Sequence, residues 1–199
     1  MNTLNDASLE ASAWAATLIQ SRRTTLPKRL VGPGPNPEQR QRILAAAAAA
    51  PDHDQILPWR FIEVPEDQRP RLAAAFQAAL LQRDPGATPE EQHNAQAKAF
   101  RSPWLLLAVL KKNPPDGAIP DQERLISVGA AIQNMLLQAT AMGLGSSLTS
   151  GKALQSVALR ALFGLGAQEE ALCFVNIGHI GEQRRPRPRP TTDAYFSRL

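Results

Sequence analysis

The stretch Trp104-Leu105-Leu106-Leu107-Ala108-Val109-Leu110 is an unbroken apolar run, closed by Lys111, Lys112 and the pair Pro114-Pro115. A half-exposed strand alternates apolar and polar side chains, so a run with no polar position predicts a strand covered on both faces. Two weaker segments read the same way: Phe61 to Val64, entered through Pro58-Trp59, and Leu172 to Ile177 near the end of the chain. Between these strands the spacing is helical. Residues 8–21 suit a helix with Trp14 and Leu18 on one face, and Asn36-Pro37-Glu38-Gln39 supplies an N-cap, a first-turn proline and a reciprocal capping side chain. That second helix runs through Ile43, Leu44 and the alanines 45–50 until Pro51, and its missing side chains predict close packing against another backbone.

Further helices are predicted over 66–82, over 89–100 behind the capping box Thr88-Pro89-Glu90-Glu91, and over 153–163. The longest spans 121–142, with Leu125, Ile132, Met135, Leu136 and Ala139 on one stripe, and stops at Gly143-Leu144-Gly145. Val31-Gly32-Pro33-Gly34-Pro35 reads as a surface linker. No repeat and no second core emerge. The expectation is one helix-rich mixed domain over 1–199, with an N-terminal extension of about residues 1–8 and a basic tail from about 184 to 199.

Composition excludes several classes. With one cysteine in 199 residues the chain is no disulfide scaffold, and no apolar run approaches the roughly 20 residues of a membrane helix. Met1-Asn2-Thr3-Leu4-Asn5-Asp6 lacks the basic start and apolar core of a signal peptide, so a soluble cytoplasmic protein is expected, with no membrane partner. The net charge of +4 is local: residues 184–199 hold five Arg and one Asp, which leaves the rest neutral. The run Arg184-Arg185-Pro186-Arg187-Pro188-Arg189 has no interleaved aromatics and favours an extended solvated segment, so nucleic acid is not the expected partner.

Three segments could carry chemistry. Arg22-Arg23-Thr24 at a helix end offers two planar guanidinium forks and a hydroxyl, a set that can surround a phosphate or simply form a solvated turn. His53 in Pro51-Asp52-His53-Asp54 stands between carboxylates that favour its protonated form; it can serve a ligand, or cap the preceding helix. Residues 143–151, Gly-Leu-Gly-Ser-Ser-Leu-Thr-Ser-Gly, allow close backbone approach and carry four hydroxyls, yet match neither a Walker loop nor the dinucleotide fingerprint. His53, His93 and His179 lack metal-ligand spacing, no nucleophile elbow occurs, and Cys173 sits in an apolar strand as a core thiol; neither a metal nor a catalytic side chain is assigned.

Taken in order, Arg22-Arg23-Thr24, Ala50-Pro51-Asp52-His53 with Pro58-Trp59, Gly143-Leu144-Gly145, Ser150-Gly151 and Asn176-Ile177-Gly178 resemble the nitroreductase family of flavoproteins, in particular its compact members. The resemblance covers about Leu9 to Phe196. It implies an α+β sandwich whose central mixed or antiparallel sheet is flanked by helices, a homodimer, FMN at the dimer interface, and NADH or NADPH as donor. Hydride would pass to a small-molecule acceptor, a nitroaromatic, quinone or related compound, by ping-pong turnover, the flavin carrying the electrons. Carried over by position, Arg22, Arg23 and Thr24 resemble contacts to the FMN phosphate and ribityl chain, Ala49 and His53 a stretch from the neighbouring region of the pocket, and Leu148, Thr149 and Ser150 the segment beside the flavin.

The chain departs from that pattern at Leu26, where relatives carry a basic residue, at Leu57, where they carry Gln, and at Leu148-Thr149, where an aromatic and a basic residue usually stand. Arg185 or Arg187 of the tail is expected to replace the lost charge. A contrasting expectation is a catalytically weak member that binds flavin as a carrier or regulatory dimer.

Overall fold

A computed structural model of the chain describes residues 3–115, 117–182, 185 and 188–199. The apolar run forms strand β3, Trp104–Lys111, which hydrogen-bonds on both edges. One neighbour is β2, Trp59–Glu63; the other is β5, Glu169–Ile180, the longest strand. β5 also pairs with β4, Gly145–Thr149, and with the short β1, Leu30–Val31. All of these ladders are antiparallel, in the order β1-β5-β3-β2 with β4 added on β5. The expected mixed or antiparallel sheet is thus antiparallel in its named strands.

The two-residue period of a strand sorts the core into two layers. Trp104, Leu106, Ala108 and Leu110 face one hydrophobic cluster together with Cys173, Val175 and Ile177 of β5. Leu105, Leu107 and Val109 face the other, with Phe174 and Ala171. Ala171 and Cys173 would share a face in a regular strand. They do not, because the register skips Leu172 opposite Ala108 and Val109, and a β-bulge there reverses the alternation.

The first layer is closed by α2, Pro37–Ala47, and α5, Asp121–Ala141. Val128, Ala131, Ile132, Met135, Leu136 and Ala139 of α5 are buried at spacings of three and four. Leu125, expected on the same stripe, is half exposed beside the exposed Ile126. The second layer contains α3, Arg69–Arg83, and α6, Val157–Leu162, with α4, Pro89–Ala97, packed against α3. Both capping boxes form, at Asn36 with Gln39 and at Thr88 with Glu91.

Three expectations change. Residues 3–8, taken as an extension, belong to α1, Thr3–Ser21, and Trp14 of that helix is exposed. Val31 of the supposed linker pairs with His179, and Pro35 is fully buried. Residues 145–149, read as part of a connecting loop, are strand β4: a segment this buried must place its amides and carbonyls in a ladder, whatever its composition. Gly145 is required there, since a Cβ would meet Ile180 Cγ1 at 2.8 Å and Leu30 Cδ2 at 2.9 Å. Among the described residues no helix is long and apolar enough to cross a membrane.

Truncating the two-sided strand should be severe. Leu107→Ala removes a side chain with no exposed area, with an expected loss of about 2–5 kcal/mol. Val157→Ala, at a mostly exposed position, should stay within about 0.5 kcal/mol, both read from urea unfolding midpoints.

Candidate functional site

Strand β4 organises the region because different segments attach along it. On the edge away from β5, Thr24 bridges to Ser146 in parallel, and the Thr25 amide donates to the Ser146 carbonyl at 2.8 Å. The end of α1 is thereby held beside β4. Arg22 follows directly, its amide still bonded to the Leu18 carbonyl at 3.2 Å.

The tail reaches the same place. Gly181 N–H donates to the Arg29 carbonyl at 2.9 Å, and Arg29 pairs with Glu182 at 3.3 Å. Further on, Arg189 Nη2 donates to the Arg22 carbonyl at 2.8 Å. Arg23 Nη1 donates to the Arg22 carbonyl at 3.0 Å and to that of Gln20. Burial pulls the Arg22 guanidinium below its ordinary pKa, and Arg189 and Arg23 add like-charge repulsion in the same direction. No carboxylate pairs with any of the three among the described residues. Three converging guanidiniums without a counter-charge form a receptive place for an anion. Arg189 of the tail brings a charge beside Arg22. Arg185 is exposed, and Arg184 and Arg187 lie outside the described residues.

At the other end of β4 opens a cavity of about 570 Å³, within the usual range for small-molecule sites. Thr149, Ser150, Gly151 and Lys152 form one side, and Pro27, three residues past Thr24, another. Its apolar lining includes Phe76, Leu80, Leu105, Leu154 and Phe174, with Phe76 and Phe174 edge to face at 5.7 Å and 74°. Asn176, almost fully buried, donates from Nδ2 to Thr149 Oγ1 at 3.0 Å, to the Phe174 carbonyl at 3.2 Å and to the Ser147 carbonyl at 3.3 Å. It therefore fixes the Thr149 hydroxyl as an acceptor at the cavity wall. Ser146, beside which α1 ends, and Thr149 at the cavity wall are three strand residues, roughly 10 Å, apart.

Ala49, His53 and Leu148 do not line this cavity. Leu148 pairs with Val175, so it projects from the sheet face opposite Thr149 and is nearly half exposed. Ala49 is exposed. His53 was expected between Asp52 and Asp54. Its Nδ1 instead meets Glu123 Oε2 of α5 at 2.7 Å, while Asp54 lies at 3.9 Å and Asp52 Oδ2 accepts from the Leu57 amide at 2.9 Å. Asp54, Gln55 and Leu57 all take positive φ, a conformation that costs non-glycine residues energy and turns the loop toward α5. Burial raises the Cys173 thiol to about 11, which suits an inert core position. Among the described residues no group of His, Cys, Asp or Glu could hold a metal ion.

Sequence reasoning missed Asn94, Lys98, Arg101 and Lys152 at the cavity, Asn176 in its wall, and Arg189 in the arginine cluster. Asn176 alone had a local sign, a polar residue inside an apolar strand. The others come together only through folding.

The hydrogen bond to Glu123, with the charge of Asp54, raises the His53 pKa above the ordinary value. This pairing therefore favours the folded state below the unfolded pKa of about 6.5, and its contribution disappears as pH rises through the elevated value. An NMR titration of the His53 ring should find that elevation, and Glu123→Gln should remove most of it.

Residues 19–179 match the model of the nitroreductase family. A Haemophilus influenzae protein provisionally named an NAD(P)H nitroreductase is 34% identical over 164 residues, which cover 82% of this chain and 87% of that one. A nitroreductase-like family protein from Bacillus cereus shares the fold with a TM-score of 0.77 at 20% identity, covering 92% of this chain and 95% of the other. A structure titled as the FMN- and NADPH-dependent nitroreductase NfnB, from a Sphigopyxis strain, superposes with a TM-score of 0.72, again at 20% identity, over 92% and 97% of the two chains. With the family match running from the end of α1 to the end of β5, the chain belongs to the nitroreductase family.

Proposed function

We propose that this protein is an FMN-dependent NAD(P)H oxidoreductase that reduces nitroaromatic, quinone or similar acceptors by ping-pong turnover, as a cytoplasmic homodimer. The observation that carries the reading is the layout along β4: an arginine cluster lacking a counter-anion where α1 ends beside Ser146, and a partly aromatic cavity at Thr149. FMN, a planar ring on a chain ending in one phosphate, fits such a pair of subsites. Family membership and the FMN and NADPH dependence of NfnB point the same way.

When bound, FMN supplies the carrier that accepts hydride from NAD(P)H and passes two electrons to the acceptor. For a nitro compound one cycle balances as ArNO2 + NAD(P)H + H+ giving ArNO + NAD(P)+ + H2O. The protein's own share is positioning. Arg22, Arg23 and Arg189 would hold the phosphate, Thr24 would serve the ribityl chain, and Thr149 and Ser150 would serve the ring. Ala49, His53 and Leu148 lie away from the cavity, and in a homodimer they serve the partner's site. Exposed Trp14, Leu57, Ile126 and Leu148 are apolar surface available for that contact.

Thr149, where relatives carry a basic residue, favours a second reading, a member that binds flavin without turnover. Lys98 and Lys152 line the same cavity, so loss of charge at 149 does not leave it without cations.

The purified protein should be yellow and release FMN on denaturation, and should oxidise NAD(P)H when a nitroaromatic is added. A colourless protein that takes up no FMN overturns the proposal; flavin binding without turnover supports the second reading. Arg22→Ala and Arg189→Ala should each weaken FMN binding by about one to two decades, measured by fluorescence titration.

A further inference from the structure

Four cations, Arg83, Lys98, Arg101 and Lys152, line the cavity against one carboxylate, Glu91. They come from three separate places: Arg83 from the last turn of α3, Lys98 and Arg101 from the turn between α4 and β3, and Lys152 from the turn after β4. The group is thus assembled by folding and is not the charged face of a single helix. Other cations are held in ion pairs, as in Arg29–Glu182, Arg40–Glu63, Arg60–Glu169 and Lys112–Glu170. None of the four has a hydrogen-bond or ion-pair partner among the described residues. Glu91 forms no ion pair with them: its Oε2 accepts from Thr88 N–H at 2.8 Å and Thr88 Oγ1 at 2.9 Å in the α4 cap, and its single charge leaves the lining with a positive surplus.

The two ends of β4 differ in what they ask of a ligand. The arginine cluster suits the single phosphate of the flavin, so the cations of the cavity are left for a second anion. Aromatic and aliphatic side chains beneath them favour a planar ring, and a cleft lined by one sign of charge concentrates ligands of the other. We propose that the cavity selects an acceptor in which the reducible ring carries an oxyanion such as a carboxylate, with Arg83, Lys98, Arg101 and Lys152 as its specificity determinants. This rests on the flavoenzyme reading above. The phosphates of the donor dinucleotide are the other source of such an anion, and the test separates the two.

The experiment compares 4-nitrobenzoate with neutral 4-nitrobenzamide on the FMN-loaded protein, following reoxidation of the NADH-reduced enzyme by stopped flow. The carboxylate should be favoured in kcat/KM by about tenfold or more at low ionic strength, with the preference shrinking as salt rises. Arg83→Gln and Lys152→Gln, singly and together, should move the ratio of the two acceptors toward one. Calorimetric titration with benzoate, which is not reduced, should give a dissociation constant that rises in the same variants. The single substitutions are at exposed positions, and FMN content with circular dichroism checks that each variant is folded.

Equal rates for the two acceptors, or a variant that slows both by the same factor, overturns the proposal. A variant that shifts the flavin midpoint potential and leaves the ratio unchanged also overturns it, assigning these cations to the flavin. Altered discrimination between NADPH and NADH with an unchanged acceptor ratio does the same in favour of the donor. If the protein takes up no FMN, the flavoenzyme reading fails on its own, and benzoate titration of the flavin-free protein still decides whether the cavity binds an aromatic oxyanion.

Discussion

The backbone of β5 is hydrogen-bonded along both edges, and the rest of the molecule depends on that double pairing. On one side it carries β3, which divides the core into two layers; on the other it carries β4, whose free edge fixes Thr24 and Thr25. An amide buried without a partner costs about as much as a lost hydrogen bond, so the ladder leaves these segments little freedom to slide. The register therefore transmits directly into the site: Ser147 opposite Asn176 and Thr149 opposite Phe174 set the wall of the cavity. The bulge at Leu172 is part of the same constraint, since it returns Ala171 to the layer that Phe174 occupies.

Charge is distributed in keeping with this frame. Most of the strongly held ion pairs tie strands and turns together, as Arg60 does with Glu169 at 2.6 Å between β2 and β5. Among the described residues, a group of cations without a carboxylate ion pair lies towards each end of β4. Like charges are brought together only at a cost, and a fold that keeps them so leaves a place that an anion relieves. Net charge alone hides this division, because it sums a neutral body with a basic tail whose Arg189 returns to the body.

Legibility varied with the length scale of the interaction concerned. Residues 104–110 read correctly as a two-sided strand because the cause, burial of both faces, is written in every position of the run. The caps at Asn36 and Thr88 were legible for the same reason, each being complete within four residues. β4 was not, since Gly-Ser-Ser-Leu-Thr has neither alternation nor β-branched weight, and only the pairing offered by β5 makes it a strand. For His53 the sequence showed the contribution of Asp54, but not the shorter contact to Glu123, 70 residues away.

By itself, the sequence determined where the strongest strands and helices lie, the order of the weak motifs that mark the nitroreductase family, and the presence of an arginine pair suited to phosphate. These follow from local periodicity, capping and residue chemistry. Tertiary structure decided which arginine of the tail meets that pair, that Thr149 and Leu148 look to opposite faces, and that four cations from separate segments share one cavity. Such matters depend on register and on the packing of α3 and α4 over the sheet, interactions between residues far apart in the chain that no local pattern encodes.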